Sequence, residues 1–338
     1  LGINSFSKKG SGLTSGIIQG IDYAIAQRAN IIQASFGSSV TPDDGFDATG
    51  IVSTAAVEAF GITFVASASN TGPDTESMAS PAVARGILSV AASDDSNTLD
   101  VSDDTIASFS SRGPMAFGRF GPTVTAPGTS INASAPPTSR CPNNPSGLCS
   151  NALFNPASGT SFSSPIVTGV IAQLLESKPN ITAAEIKLII SGSAQNMSGH
   201  PFEKGAGIIN ATAAIQFLTR AAINTKENTA IEAVPGGYQD LNITIFNLDN
   251  TSDHTYSFGI ETISDIEGDH SITTSNVDIP RIQTLTAGAN NTYTARFKIP
   301  TSTPPGIYGT TIIITSNTGE NLRLPVALTI PFVGEGRF

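Results

Sequence analysis

The chain is poor in positive charge. Its 17 lysine and arginine residues are outnumbered by 27 aspartate and glutamate residues, giving a net charge of −10 and an isoelectric point near 4.7. A protein that binds nucleic acid needs a basic face, so this composition argues against nucleic acid as a partner. The sequence also lacks any apolar run approaching the ~18 residues that a membrane-spanning helix requires, which argues against a membrane span.

Cysteine and histidine are scarce, with two and three residues respectively. Cys141 and Cys149 flank a polar loop, and no further cysteine or neighbouring histidine completes a zinc site. A small disulfide loop is therefore the favoured interpretation, with free thiols in a reducing compartment as the alternative. No motif recurs with a period of about 20 to 50 residues, which argues against a repeat architecture.

The run from Asn155 to Pro165, which contains Ser161, limits the possible reactions of the protein more than any other segment. Gly159 and Thr160 allow a tight turn that exposes the next hydroxyl, and Pro165 suits the first turn of a following helix, where its missing N–H does no harm. The residues after Pro165 are apolar nearly all round, which predicts a buried helix. Ser161 is placed as a nucleophile would be, although an ordinary loop or helix cap would also explain the three residues alone.

The stretch Gly159-Thr160-Ser161-Phe162-Ser163-Ser164-Pro165, followed by Gly169, resembles the nucleophile motif of the subtilisin-like serine proteases, or subtilases. The elbow motif of the α/β-hydrolases does not fit, because Ser163 stands where its second glycine should be. Other segments resemble subtilase landmarks in the family's order: Ile31 to Gly37, Ile62 to Gly72, Phe109 to Pro114, Val124 to Gly128 and Gly205 to Asn210. The resemblance implies a doubly wound, mostly parallel α/β sheet.

The resemblance also implies catalytic roles. Ser161 would attack the peptide carbonyl, while the Asn70 amide and the Ser161 backbone N–H would stabilise the oxyanion, and such a donor lowers the barrier by ~3 kcal/mol. On local sequence alone Asn70 is equally a turn asparagine. Ser69 departs from the family, which usually has glycine there, so this residue would be strained if the backbone needs a positive φ.

Five further residues are implied as substrate contacts. The family's cleft edge pairs with the bound peptide as an added strand, and this role falls on Ser35, Phe36 and Gly37. Ser67 and Ala68 should border the P1 pocket together with them. An ordinary junction between a strand and a loop, without a role in substrate binding, would also explain Ser35 to Gly37.

The base and the orienting carboxylate that a serine nucleophile needs are missing. The family's Asp-(Thr/Ser)-Gly and His-Gly-Thr-His motifs do not occur, and His200, His254 and His270 all follow Ser161, whereas the family order is Asp, His, Ser. All three histidines are interpreted as solvated, His200 in a turn. We therefore expect a fragment of a longer secreted precursor, inactive alone, whose upstream segment carries Asp and His.

Two alternatives remain open. The first alternative to this expectation is a catalytically inactive pseudoprotease or surface-binding protein that keeps the subtilase fold, and the second is a two-chain enzyme in which this polypeptide stays associated with a separately cut Asp/His segment. The upstream gene sequence would separate the first alternative from an active protease, because a pseudoprotease should lack one or both motifs.

Composition changes near Thr225, and from about Tyr238 strict alternation of apolar and polar residues replaces helical periodicity. This predicts two domains: a partial peptidase domain at 1–222 and an all-β sandwich of the fibronectin type III or immunoglobulin-like kind at 228–338. A stabilising role is favoured for the second domain over a specific ligand-binding role.

Seven Asn-x-Ser/Thr sequons begin at Asn132, Asn180, Asn196, Asn210, Asn242, Asn250 and Asn290. Together with the cysteine pair they predict a secreted, extracellular glycoprotein acting on protein or peptide substrates. No cofactor is assigned. The runs Asp43 to Asp47 and Asp94 to Asn97 offer oxygens that could bind calcium but lack EF-hand spacing, so solvated acidic turns are favoured and no metal ligand is named.

Overall fold

The protein is described from a computed structural model, which covers residues 1–7, 11–38, 43–134, 154–224 and 230–331. Two regions follow one another: a first region of mixed helices and strands up to Arg220, and a second region of strands from Ala221 onward. Among the described helices, none is both long and apolar enough to cross a membrane.

The first region contains six helices and seven strands in its described part. The helices are α1 (Thr14–Ala26), α2 (Ala48–Glu58), α3 (Thr160–Ser177), α4 (Ala183–Gly192), α5 (Pro201–Lys204) and α6 (Ala211–Arg220). The strands are β1 (Ile31–Ala34), β2 (Thr63–Ser67), β3 (Leu88–Asp94), β4 (Thr105–Ile106), β5 (Val124–Pro127), β6 (Ile131–Ser134) and β7 (Phe154–Ala157).

The central sheet of the first region is mostly parallel. Strands β1, β2, β3 and β5 run parallel, and only the short β4 pairs with β3 in the antiparallel sense. Successive residues of β2 serve opposite faces: Val65 packs in the cluster that holds α3, whereas Phe64 packs with Ile21 of α1 and Ala56 of α2. Helices therefore cover both faces, and the predicted mostly parallel α/β sheet is confirmed.

Local sequence explains where several helices begin. Asp47 precedes α2 and accepts a hydrogen bond from the Gly50 N–H at 2.7 Å. Thr182 and Glu185 form a reciprocal capping box at the start of α4.

The second region consists of strands β8 to β18. They span β8 (Ala221–Asn224), β9 (Ala230–Glu232), β10 (Tyr238–Asn247), β11 (His254–Ile260), β12 (Ile263–Ser264), β13 (Ser271–Ile272), β14 (Val277–Asp278), β15 (Ile282–Leu285), β16 (Asn290–Lys298), β17 (Gly306–Ser316) and β18 (Asn321–Ile330). The strands form a four-stranded sheet, ordered β14-β16-β10-β8, and a seven-stranded sheet built around β17. All pairings are antiparallel except that of β9 with β18.

The two sheets of the second region share a core. Ile243 of β10 and Ile312 of β17 are both buried in one apolar cluster, and the Phe258 and Tyr293 rings meet edge-on across the sheets at 5.4 Å. Because β8 pairs with β10, residues from Ala221 already belong to this arrangement. The domain boundary between 222 and 228 and the fibronectin type III assignment stay predictions.

Buried polar groups join the two regions. Arg323 of β18 donates from Nε to the Ala206 carbonyl at 2.6 Å and from Nη2 to Glu261 at 2.6 Å. Lys204 of α5, also buried, donates to the Met197 carbonyl at 2.9 Å and lies 3.9 Å from Glu261. The second region is thus fixed to the segment that follows α5.

Candidate active site

The structure places Ser161 at the start of a helix. Ser161 is the second residue of α3, so the expectation that Pro165 occupies the first turn is wrong: Pro165 is the sixth residue of that helix. Gly159 precedes the helix with φ of +152°, a conformation that residues with a side chain rarely adopt, and its N–H donates to the Gly128 carbonyl at 2.8 Å. This turn presents the half-buried Ser161 at the helix N-terminus.

Pro165 frees the Ser161 carbonyl for another partner. In a regular helix the N–H of residue 165 would donate to the carbonyl of residue 161, and proline has no N–H. The Ser35 hydroxyl, at the end of β1, instead donates to the Ser161 carbonyl at 2.8 Å. Pro165, which the sequence analysis placed in the first turn of the helix, therefore allows a hydrogen bond between α3 and the edge of the sheet.

Gln33 is a site residue that sequence analysis missed. Its Nε2 donates to the Ser35 hydroxyl at 2.6 Å and to the Ser164 hydroxyl at 2.8 Å. The Ser161 hydroxyl lies 3.4 Å from the Ser35 carbonyl. Gln33 lies one residue before the end of β1 and two positions before Ser35. That spacing is the feature of the sequence from which a contact between the two side chains could have been predicted.

The structure brings Asn70 to the same helix start. Its Oδ1 accepts hydrogen bonds from the Thr160 N–H and the Thr160 hydroxyl, each at 2.9 Å. Because these bonds fix the oxygen, the amide nitrogen of Asn70 points towards Gly159. A Cβ atom placed on Gly159 would lie 3.4 Å from this Nδ2 atom. Asn70 is thus held at Thr160, the residue before Ser161, although about 90 positions separate Asn70 and Thr160 in sequence.

Ser69, immediately before Asn70, has φ of +90°. The backbone here does adopt the left-handed conformation that the usual glycine would permit, so Ser69 is strained as anticipated. Neighbouring hydrogen bonds hold it, since the Ser69 carbonyl accepts from the Ser111 N–H at 3.1 Å. A Cβ at Gly37 would approach the Ser69 hydroxyl to 2.8 Å, so a side chain at residue 37 would crowd this turn.

The five predicted substrate contacts follow the carboxyl ends of two adjacent strands. Because β1 and β2 are parallel neighbours, Ser35, Phe36 and Gly37 come to the same sheet edge as Ser67 and Ala68. Gly37 is exposed and Ser35 and Phe36 are half-buried, whereas Ser67 and Ala68 are buried at 3% and 0% exposure. Their assignment as substrate contacts stays a prediction.

Two of the three histidines, His200 and His254, differ from the expectation of solvated residues, whereas His270 is exposed as predicted. His200 is not a solvated turn residue: its Nδ1 accepts from the Phe202 N–H at 3.2 Å and its Nε2 lies 3.0 Å from the Ser264 carbonyl. Burial lowers the pKa of His200 below its ordinary value. His254 is also buried and lies 3.2 Å from Asp249. The half-exposed His270 contacts Asp265, so all three histidines are engaged away from Ser161.

One acidic run is structural rather than solvated. Asp43 is buried, and its carboxylate accepts from the backbone N–H groups of Gly45 and Ser80, each at 2.9 Å. The expectation of a solvated turn is therefore wrong for Asp43, whereas Asp95 lies in an exposed turn. In the part of the chain that the structure describes, no group of three or more His, Cys, Asp or Glu residues could hold a metal ion. Cys141 and Cys149 lie outside the described residues.

Comparisons with known proteins find similarity to serine proteases. A model of the subtilase family matches residues 1–208. The serine protease AprX of Bacillus subtilis (strain 168) is 34% identical over 221 residues, which cover 62% of this chain and 50% of AprX. Subtilisin DY of Bacillus licheniformis is 29% identical over 218 residues, covering 63% of this chain and 67% of that protein. The solved structure of sphericase aligns with a TM-score of 0.46 and 22% identity over 60% of this chain and 65% of its own. The chain thus spans half the length of AprX.

Proposed function

The chain belongs to the subtilase family, and from that premise we propose that the protein is a subtilisin-type serine endopeptidase with Ser161 as its nucleophile. The substrates would be proteins or peptides, bound against the end of β1 at Ser35 to Gly37 and above Ser67 and Ala68. The Ser161 hydroxyl would attack the scissile carbonyl and form a tetrahedral intermediate.

The observation that carries this proposal is that Asn70 is hydrogen-bonded to Thr160, the residue before Ser161, at the N-terminus of α3. Backbone N–H groups in the first turn of a helix have no partner within the helix, and the helix dipole favours negative charge there. An oxyanion formed at Ser161 would therefore find the Ser161 N–H and the Asn70 amide as donors. These donors are fixed before the reaction begins, which is the condition for effective charge stabilisation.

The general base would come from a segment upstream of this chain. A serine hydroxyl needs a histidine to take its proton, and each of the three histidines here has other partners. We propose that an upstream histidine and aspartate complete the site, so that these residues alone hydrolyse no peptide. The same segment would adjoin β1, which pairs on one side only, with β2, within the described residues.

The second region would act as a stabilising β-sandwich of the fibronectin type III kind. Its support is the buried hydrogen bond from Arg323 Nε to the Ala206 carbonyl, next to the residues that hold β5, and the 3.9 Å approach of Lys204 to Glu261. The Ala206 N–H donates to the Thr123 carbonyl at 3.0 Å, so this contact adjoins the central sheet. An extracellular location is proposed from the sequons and the predicted disulfide between Cys141 and Cys149.

The experiment that tests the proposal is labelling of the full-length secreted protein with a fluorophosphonate probe. We expect the wild type and Ser177→Ala, altered at the exposed far end of the same helix, to be labelled, and Ser161→Ala and the 338-residue chain alone not to be labelled. Failure of the folded full-length protein to react would overturn the proposal in favour of a pseudoprotease. Persistent labelling of Ser161→Ala would show that another residue is the nucleophile.

A further inference from the structure

The outer face of the four-stranded sheet carries two sequons that the proposed peptidase chemistry does not use. Asn242 lies in the middle of β10 and Asn290 begins β16, and both are exposed. The hydroxyls of their sequon threonines, Thr244 and Thr292, face each other at 2.8 Å. Both asparagines therefore stand on the solvent side of the same paired strands.

An aromatic ring lies on this face beside Asn290. Phe246 is the register partner of Asn290 across β10 and β16, and directly opposed residues have Cβ atoms about 4.5–5.5 Å apart. Phe246 is half-buried and stands outside the apolar core that takes in Ile243 and Ile245. Water contacts part of this ring, so covering it with another apolar surface would be favourable.

The polar groups of the face leave the Asn242 nitrogen available. Asn242 Oδ1 accepts from the Thr294 hydroxyl at 2.8 Å, and in the described chain no hydrogen bond to its Nδ2 is found. The Arg296 guanidinium is paired with the Asp240 carboxylate through two hydrogen bonds of 2.7 Å. Because these charges neutralise each other, the face is suited to a neutral, bulky and hydrated group rather than to an ion.

Two sequons of the first region contrast with this arrangement. The Asn196 Oδ1 accepts from the buried Lys204 ammonium at 3.0 Å. The half-buried Asn210 accepts from the Ala213 N–H at 2.9 Å at the start of α6. These asparagines hold the segments around them, whereas Asn242 and Asn290 hold no loop or helix end in place.

We propose that Asn242 and Asn290 are N-glycosylation sites and that the first sugar on Asn290 packs against the Phe246 ring. The donor would be an oligosaccharide linked to a lipid diphosphate. The asparagine Nδ2 forms a bond to the anomeric carbon and loses a proton, while the bond from that carbon to the phosphate oxygen breaks and the lipid diphosphate leaves. The inference rests on the proposed secretion of the protein and is independent of its peptidase chemistry.

The sites are tested on full-length protein secreted by a yeast host. Treatment with peptide N-glycosidase converts a glycosylated asparagine to aspartate, and we expect mass spectrometry to find that conversion at residues 242 and 290. Thr292→Ala should remove the glycan from Asn290 and Thr292→Ser should retain it, since serine preserves the sequon. Unmodified Asn242 and Asn290 in the secreted protein, or a chain retained in the cell without glycans, would overturn the proposal.

The packing on Phe246 is tested by a double-mutant cycle. We expect Thr292→Ala to lower Tm more, relative to Thr292→Ser, in the wild-type background than in Phe246→Ala, because only the wild type offers the ring to the sugar. Equal differences in Tm would refute the packing. Fluorophosphonate labelling of the same samples separates the two proposals: labelled protein without glycans refutes glycosylation alone, and glycosylated protein without labelling refutes the peptidase alone.

Discussion

Backbone strain divides the two regions of the molecule. Among the described residues, seven other than glycine have a positive φ, and all lie in the first region: Arg28, Ser69, Glu76, Ser96, Asn97, Phe117 and Ser130. In the described part of the second region, every residue with a positive φ is a glycine. Strained conformations persist only where surrounding structure imposes them, and they cluster at functional sites. Local backbone strain is therefore present in the first region, above all at Ser69 beside Asn70. In the described part of the second region it is not observed.

Polar side chains show the same division. In the first region Asn70 and Gln33 contact residues of α3 that are about 90 and 130 positions away. In the second region, the outer face is built from cross-strand pairs such as Asp240 with Arg296. Long-range polar contacts position the proposed nucleophile, whereas cross-strand pairs follow from strand register. The four predictions that follow test this contrast.

The largest expected effect is on the junction between the regions. Arg323→Leu removes the hydrogen bonds to the Ala206 carbonyl and to Glu261, so we expect the free energy of unfolding of the full-length protein to fall by about 3 kcal/mol. Urea denaturation measures this change. Arg296→Leu is the matched control, an ion pair on the exposed sheet face that should change the unfolding midpoint little. Equal effects of the two substitutions would mean that the regions do not stabilise each other.

A second prediction separates catalysis from stability in the first region. Asn70→Leu should lower kcat of the full-length protein by about 10²–10³-fold with little change in KM, because the amide would act on charge that appears only in the transition state. Because leucine also leaves the N–H and hydroxyl of the buried Thr160 without their acceptor, Tm should fall as well, and kcat is therefore measured well below the Tm of the variant. Thr160→Val, which removes only one hydrogen bond to Asn70 Oδ1, should cause a smaller loss of kcat. Near-normal turnover in Asn70→Leu would rule out the oxyanion role.

The strain at Ser69 gives a third prediction. Ser69→Gly should raise the free energy of unfolding by about 1 kcal/mol, since glycine adopts φ of +90° without steric conflict. Ser102→Gly is the control: Ser102 is exposed and is not among the residues with positive φ, so glycine there should be neutral or destabilising. If Ser69→Gly destabilised the protein as well, the left-handed conformation would not be a source of strain.

Sequence carried different amounts of information about the two regions. The alternation at Leu241 and Ile243 predicts a strand with one buried face, and β10 buries both side chains. The capping box at Thr182 was equally readable, because its partners are three residues apart. Such features are local, so propensity and periodicity suffice.

The features that sequence analysis missed are long-range. Pro165 suggested a helix start, yet α3 begins five residues earlier because a hydroxyl from β1 satisfies the carbonyl that proline leaves without a donor. His200 was taken for a solvated turn residue because its partner, the Ser264 carbonyl, belongs to the other region. In both cases the deciding contact comes from a residue more than 60 positions away.

The smallest expected effect concerns the pH dependence of the junction. His200 accepts from the Phe202 N–H through Nδ1 and faces the Ser264 carbonyl with Nε2, an arrangement that requires the neutral imidazole with its proton on Nε2. Burial lowers the pKa of His200, outweighing the nearby Glu203 and Asp265 carboxylates that act in the opposite sense. The unfolded chain, with a histidine pKa of about 6.5, therefore binds the proton more readily than the folded protein. Stability supplied by the neutral imidazole is present above pH of about 6.5 and is lost as the pH falls towards the lowered pKa of the folded state.

His200→Asn isolates this contribution. Asparagine keeps a side-chain acceptor at the start of α5 but does not titrate, so its urea midpoint should fall less than that of the wild type between neutral and mildly acid pH. The pairs His254 with Asp249 and His270 with Asp265 are present in both proteins and cancel in the difference. Parallel pH profiles would show that protonation of His200 leaves the contact between the regions intact. A steeper loss in the wild type would show that protonation of His200 weakens the contact between the two regions at the Ser264 carbonyl.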